Sequence, residues 1–420
     1  MSARTVRPAN QDSAGPRILV QKYGGTSVAT PARIRRVARR IARSRDAGWR
    51  VVAVVSAMGH TTDRLVALAR QVSRDPPARE MDTLLSTGEI ITAPLLAMAL
   101  QEIGVPAVSL SGLQAGIRTS RSHTRARILE IDPTRANAEL AEGRAVVVAG
   151  FQGFTESHDV TTLGRGGSDT TAVALAASLE AESCEIYTDV RGIFTADPRV
   201  VPEARLLPAI SYEEMLELAA VGAKVMHPRA VEIGELYDIP IHVRSSFTEA
   251  PGTVITRSAG VEDRNRVRGI ASEEDVAKVT VVGVPDRPGI AAGIFSPLAD
   301  AGVSVDVIIQ NVSREGVTDL SFTVPQADLA QTERIVRELS ASIGAQGFSS
   351  DASVAKVSIV GTGMLGQPGI AATMFQTLAD AGINIDMIST GEIRITCIVD
   401  RARTRDAVRA LHRAFQLDVA

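Results

Sequence analysis

The chain has 420 residues, of which 45% are hydrophobic, and it carries 45 Lys and Arg against 48 Asp and Glu. That composition supplies at least two apolar cores, and the length suggests roughly two to three domains. The near-neutral balance offers no electrostatic reason to expect a nucleic acid or an anionic membrane as partner, so small ligands are expected instead.

Residues 1–16, "MSARTVRPANQDSAGP", form a polar leader without the apolar h-region of a secretory signal, and are expected to be disordered. No later segment approaches the roughly 20 continuous apolar residues of a membrane span, so a cytoplasmic protein is expected. From Arg17 the pattern alternates. "RILVQKY" reads as a strand, 31–47 as a helix, "WRVVAVVSAM" as a strand, and 61–74 and 80–104 as helical stretches. "PAVSLSG" and "GRAVVVAGFQG" read as strands, 169–182 as a helix, and "CEIYTDV" as a strand. Short β-branched runs alternating with helices, and apolar on both faces, imply a mainly parallel sheet covered on each side, an α/β sandwich. Such sheets place ligands at their strand ends. The stretch "FTEAPGTVITRSAGVEDRNR" then breaks the rhythm and marks a linker over 251–268.

Beyond it lies an internal repeat. "AKVTVVGVPDRPGIAAGIFSPLADAGVSVDVI" (277–308) matches "AKVSIVGTGMLGQPGIAATMFQTLADAGINIDMI" (355–388), and Pro288 and Leu298 answer Pro368 and Leu378 at an offset of 80. Each copy is a small α+β unit, expected at 269–345 and 346–420. The Pro-Gly loop before each helix either holds a small anion or only shapes the turn. In the second copy Gly361, Gly363 and Gly366 spell a dinucleotide fingerprint followed by Asp386. The first copy's loop lacks those glycines, and too little chain is expected after Asp386 to complete a dinucleotide fold.

Three clusters in the first 250 residues can hold anions. Lys22 with Gly24, Gly25, Thr26 and Ser27 puts a flexible cation beside bare backbone N–H groups. Gly164-Arg165-Gly166-Gly167-Ser168-Asp169 opens a helix beside a guanidinium, and "YTDVRGIFTADPRVV" supplies Thr188, Asp189 and Arg199. There is no Walker-type loop. Together the clusters favour a nucleotide and a second anionic substrate. Glu89, in the apolar "LLSTGEIITAPLLAMAL", either faces solvent or meets a cation, since an unpaired buried carboxylate is costly. If it lies in the cleft, Glu89 and Arg165 together describe a site for the amino and carboxyl groups of an amino acid. Cys184 and Cys397 are expected as buried apolar residues, and the six histidines show no metal-ligand spacing.

The motifs "QKYGGTSV", "VVSAMGHTTDRL", "LLSTGEI", "VAGFQGFT", "TTLGRGGSDTTAVALAASL", "EIYTDVRGIFTADPRVVPEARLL" and "SYEEMLELAAVGAKVMHPRAVE", in this order before the repeat, resemble those of the aspartate kinases. The likeness runs from about residue 17 to the end and is greatest to the short monofunctional actinobacterial form with tandem ACT units. It implies an amino-acid-kinase three-layer αβα sandwich over 17–250 and two ACT-like units. It also implies transfer of phosphate from ATP to the β-carboxylate of L-aspartate, at the entry to lysine, threonine and methionine synthesis. Residue by residue, Lys22, Arg165, Asp169 and Lys224 match catalytic positions, and Thr62, Glu89, Arg165, Gly166 and Ser168 match substrate-binding ones. Lys22, Gly24, Gly25, Ser56, Thr188, Asp189, Phe194, Arg199 and Lys224 match ATP-binding positions, with Mg2+ carried on the phosphates and no dedicated metal site. Arg191 and Phe194 depart from the family's acidic residue and tyrosine. Asp286, Gly289, Ala291, Asp306, Gln310 and Asn311, with Asn384, Asp386 and Thr390, match effector positions for lysine, threonine or both in a homo- or hetero-oligomer. Asp306 is expected to meet an effector ammonium, and "ALHRAFQLDVA" is expected to leave the second copy without its final strand. The alternatives are a kinase for glutamate or acetylglutamate, and a non-catalytic amino-acid sensor.

Overall fold

The computed structural model describes residues 17–223, 225–257, 267–311, 316–364 and 366–419. The leader 1–16, Lys224 and residues 258–266 of the expected linker lie outside the described residues. The chain forms two compact units: Met1–Ile193 with Leu206–Met215 and Val225–Gly260, and Phe194–Arg205 with Leu216–Lys224 and Val261–Ala420.

In the first unit one sheet runs in the order Ala209–Ser211, Thr253–Thr256, Ile241–Ser245, Ser183–Thr188, Ile18–Tyr23, Arg50–Val55, Ala145–Ala149, Ala107–Leu110. From Ile241–Ser245 onward every neighbouring pair is parallel, and Thr253–Thr256 joins antiparallel. The expected linker is therefore partly structural, because Thr253–Thr256 belongs to this sheet. Strand residues alternate between two buried faces. Val51, Ala53 and Val55 pack with Ile34, Val37 and Ile41 of the helix Pro31–Asp46 and with Leu96 and Leu100 of Ala78–Glu102. Val52 and Val54 point the other way and are equally buried. That face carries Gly167–Ser178, buried from Gly167 through Ala176, with Pro228–Tyr237 packed on it. The result is the expected three-layer αβα sandwich.

Thr30 caps the helix Pro31–Asp46 by accepting from Arg33 N–H, with Pro31 at its first position. Ala78–Glu102 is one helix of 25 residues, long and apolar enough by composition to cross a membrane, yet half of its most apolar window is buried. A small four-stranded sheet (Ile117–Thr119, Ile128–Ile131, Gln152–Phe154, Val160–Thr162) was not evident from periodicity, because three of its strands have only three residues.

Among the described residues, the second unit holds two four-stranded sheets with two helices each. The first copy orders Asp306–Gln310, Val317–Pro325, Val276–Pro285 and Gly347–Asp351, with helices Ile290–Asp300 and Leu329–Ile343. The second orders Gly269–Glu273, Val354–Val360, Arg394–Asp400 and Met387–Thr390, with helices Ile370–Asp380 and Thr404–Ala414. The final strand expected to be missing is replaced from upstream. Gly269–Glu273 pairs antiparallel with Val354–Val360, as Gly347–Asp351 pairs with Val276–Pro285 in the first copy. Val354–Val360 is buried throughout, so an unpaired edge there would strand backbone donors and acceptors. Sheet membership thus crosses the expected division at 345, since 269–273 serves the second copy and 347–351 the first. Gly361, Gly363 and Gly366 lie between the strand Val354–Val360 and the helix Ile370–Asp380 of this α+β unit.

Candidate active site

Four parallel strands end together, since Tyr23 pairs with Val55 and Tyr187, and Val55 pairs with Ala149. The loop that leaves Tyr23 carries the first glycine cluster, Thr188 is the last residue of its strand, and the second glycine cluster follows Val160–Thr162 of the small sheet. Lys22, one residue before its strand ends, places Nζ 2.6 Å from Asp169 Oδ1, and each side chain is 11% exposed. Asp169 lies in the first turn of Gly167–Ser178, where the helix dipole also favours its charge. Beside Lys22 the chain turns through Gly24 and Gly25. A Cβ on Gly25 would stand 2.9 Å from the Ala57 carbonyl oxygen and 3.0 Å from that of Gly59, so only glycine lets the two loops approach. The Ser56 N–H donates to the Tyr23 carbonyl at 3.1 Å and holds the second loop against the first.

Glu89 does not face solvent. It is 3% exposed, its Oε1 accepts from Ala57 N–H at 2.9 Å, and its Oε2 is buried without a hydrogen-bond partner among the described residues. Burial pushes its carboxyl up to about 7, against the opposing pull of the Ala57 N–H. The preceding residue must be small, because a Cβ on Gly88 would meet the Ala57 Cβ at 2.7 Å and the Thr61 Cγ2 at 3.7 Å. Thr62 follows Thr61 at the start of the helix Thr61–Val72 and is half-buried.

Gly166 adopts φ +67, and a Cβ there would stand 2.4 Å from the His227 side chain. Arg165, on this turn, is exposed and forms no hydrogen bond or ion pair with a described residue. Ser168 is buried, and a Cβ on Gly150, just past the strand Ala145–Ala149, would stand 2.9 Å from its Oγ. Arg229 braces the turn by donating to the carbonyls of Leu163 at 3.0 Å and Ala126 at 2.8 Å. Thr188 ends its strand, accepts from Ser246 N–H at 2.8 Å and donates its hydroxyl to Asp189 Oδ1 at 3.1 Å.

Lys22, Gly24, Gly25, Ser56, Glu89, Gly166, Ser168 and Asp169 therefore converge on one end of the sheet. Phe194 and Arg199 belong to the second unit, where Arg199 grips Asp197 with Nη2 2.7 Å and Nε 3.0 Å from its carboxylate. Sequence reasoning missed the pairing of Ser27 and Ser246, whose hydroxyl oxygens are 2.5 Å apart across 219 residues. It also missed Gly150, His227 and Arg229. "VAGFQGFT" and "VMHPRAVE" stood out as strings but gave no local sign of contact with the turn.

In the second unit the matched effector positions Asp286, Gly289, Ala291, Gln310, Asn311, Asn384 and Thr390 are exposed. Gly289 and Gly369 start their helices at φ +92 and +95, so the two Pro-Gly turns have the same shape. Two of the three matched carboxylates, Asp306 and Asp386, are met from within the chain rather than left open. Asp306 Oδ2 lies 2.8 Å from Lys356 Nζ, and Asp386 Oδ2 lies 3.0 Å from Lys278 Nζ, so each copy's aspartate pairs with the other copy's lysine. Val276, Val307, Val354, Met387 and Ile398 form the apolar seam beside these pairs.

A cation beside adjacent glycines, with a buried carboxylate held on the neighbouring loop at the ends of a parallel sheet, can bind phosphate and an ammonium. On a three-layer sandwich followed by paired α+β units, that arrangement defines an amino acid kinase carrying ACT domains. The sequence model of the amino acid kinase family matches residues 17–245, and ACT domain models match 278–344 and 357–415. The chain is 51% identical over 403 residues to an aspartokinase of Pseudomonas aeruginosa, covering 96% of this chain and 98% of that one. Its fold resembles E. coli aspartokinase III in complex with aspartate and ADP (R-state), with a TM-score of 0.81, 28% identity, and coverage of 94% of this chain and 99% of that one. The complex of the same protein with lysine and aspartate (T-state) gives a TM-score of 0.74 at 28% identity, over 95% and 99% of the two chains. The chain belongs to the aspartokinase family.

Proposed function

We propose that this chain transfers the γ-phosphoryl group of ATP to the β-carboxylate of L-aspartate, giving 4-phospho-L-aspartate for lysine, threonine and methionine synthesis. The observation that carries the reading is Glu89, a buried carboxylate with one oxygen unpartnered among the described residues, on the helix that packs against the loop beside the Lys22 cradle. Its missing partner fits an α-ammonium, and Arg165, with no partner among the described residues, fits an α-carboxylate. The β-carboxylate, ordinarily titrating near 4, is already ionised at neutral pH, so no general base is required. The work left to the protein is positioning and charge neutralisation. Lys22, steadied by Asp169, and the N–H groups of Gly25 and Ser168 take up charge on the phosphates, while the Gly24 N–H donates to the Tyr187 carbonyl at 3.2 Å and fixes the turn. Mg2+ enters with ATP as part of that substrate. The complex of E. coli aspartokinase III with aspartate and ADP supports this choice of substrates.

The second unit is read as a sensor for lysine, threonine or both, at the exposed positions around the Pro288-Gly289 turn and the edge strand Met387–Thr390, in a homo- or hetero-oligomer. The E. coli complex with lysine supports an effector of this class. A cytoplasmic location accords with this role. The test is ADP release coupled to a chromogenic assay, with aspartate, glutamate and acetylglutamate as acceptors, and with and without lysine and threonine. Turnover with aspartate alone is expected. Turnover with another acceptor, or none, would sink the reading, and activity insensitive to millimolar lysine and threonine would remove only the regulatory part.

A further inference from the structure

Asp82 is a buried carboxylate that phosphoryl transfer does not use. Its side chain is 0% exposed, and it lies two turns before Glu89 on the helix Ala78–Glu102. Its charge is met by hydrogen bonds from three consecutive or facing residues. Thr124 N–H donates to both carboxylate oxygens at 3.0 Å, the Thr162 hydroxyl donates to Oδ1 at 2.5 Å, and His123 Nδ1 lies 2.8 Å from Oδ2. A carboxylate that gathers this many donors fixes the backbone that carries them.

The backbone it holds is strained. Thr124 has φ +65, a conformation that a β-branched residue adopts only under constraint, at a cost on the order of 1–3 kcal/mol. That strained residue abuts the turn of the site. The Thr124 carbonyl oxygen lies 3.1 Å from where a Cβ on Gly164 would stand, and Ala126 N–H donates to the Thr162 carbonyl at 3.0 Å. Gly164 directly precedes Arg165, whose side chain no described residue fixes in place. Its placement therefore depends on the backbone below it.

We propose that Asp82 is a positioning residue for the acceptor substrate: by holding Thr124 in the left-handed conformation it sets the Gly164–Gly166 turn and so aims Arg165. The inference rests on the reading of Arg165 as the group that binds the substrate carboxylate. Asp82→Asn keeps the volume but replaces one acceptor oxygen with a donor. Its KM for aspartate should rise on the order of tenfold, below the roughly 10²-fold that a full 1 Å misplacement can cost, with the KM for ATP changed less than about twofold. Adding Thr124→Gly, which adopts positive φ without strain, should recover at least half of that loss on a logarithmic scale. A purely structural role would lower the melting temperature and leave both KM values of the folded enzyme alike.

Arg165→Ala is measured beside these variants. If it leaves the aspartate KM unchanged, the reading of Arg165 falls and the proposal with it. If it raises that KM while Asp82→Asn does not, only the role of Asp82 is overturned. Two KM values rising together, or no recovery from Thr124→Gly, also overturn it. Should Asp82→Asn not fold, Thr162→Val, which removes one donor at constant volume, must show the same split in smaller measure, and its absence would refute the proposal.

Discussion

Replacing Glu89 with glutamine separates the needs of the fold from those of the reaction. Folding raises the Glu89 carboxyl from its ordinary 4.5 to about 7, chiefly by burial. At about 1.4 kcal/mol per factor of ten in proton affinity, the ionised residue costs the fold about 3 kcal/mol at pH 8. The sign follows from proton counting: between about 4.5 and 7 the folded chain binds more protons than the unfolded one. Stability therefore falls as pH rises through that window and is flat above it. At pH 5.5 the cost has shrunk to about 1 kcal/mol, because most folded molecules carry a neutral Glu89. Glutamine keeps the bond from Ala57 N–H but leaves an amide without an acceptor, a pH-independent cost of about 1–3 kcal/mol. The stability difference, variant minus wild type, should thus be about 2 kcal/mol more favourable to Glu89→Gln at pH 8 than at pH 5.5. Trp49, the single tryptophan, packs against the core that the Glu89 helix helps to build, so urea unfolding followed by its fluorescence reports on this unit. Activity should fall on the order of 10²-fold or more, since a neutral amide offers an ammonium no opposite charge and turns a donor where the second carboxylate oxygen stood. A difference that is the same at both pH values would refute the burial argument, and wild-type turnover would refute the ammonium site.

Lys22→Met should lower kcat on the order of 10²–10³-fold in the ADP-release assay. It should also destabilise the first unit by about 3 kcal/mol in the same urea experiment, by leaving Asp169 buried without its cation. Gly166→Ala drives a Cβ into His227 at a position of φ +67, so the aspartate KM should rise on the order of tenfold, and an unchanged KM would show that the turn is not part of the site. Lys356→Met leaves Asp306 and Glu273 without the ammonium that lies 2.8 and 2.7 Å from them. It should destabilise the second unit by about 2 kcal/mol, less than a fully buried pair because Asp306 is half exposed, as read by thermal melting. Burial alone would raise the Asp306 carboxyl, but the bond and charge of Lys356 more than offset that and hold it below its ordinary value. The stabilisation is thus present above about pH 4 and is lost as pH falls through the lower folded value, so the variant and wild type should converge in acid.

Local pattern alone determined the class of the first unit. Runs such as "RVVAVV" between amphipathic stretches are short, β-branched and apolar on both faces, which favours strands of a sheet covered on each side, and period is a property of neighbouring residues. The duplication was equally plain, because an offset of 80 between Pro288 and Pro368 is visible without knowing where either residue lies. Lys22 beside Gly24 and Gly25 suggested an anion site for the same reason, since the cation and the glycines adjoin in sequence. Only the tertiary structure decided what depends on distant partners. Glu89 could have faced solvent until its helix was laid against Ala57. Ser27 found Ser246, and Asp306 found Lys356, through packing that no short window encodes. Gly269–Glu273 became the last strand of a sheet whose other strands begin about 80 residues later, because the buried edge of Val354–Val360 needed hydrogen-bond partners and any complementary strand could supply them.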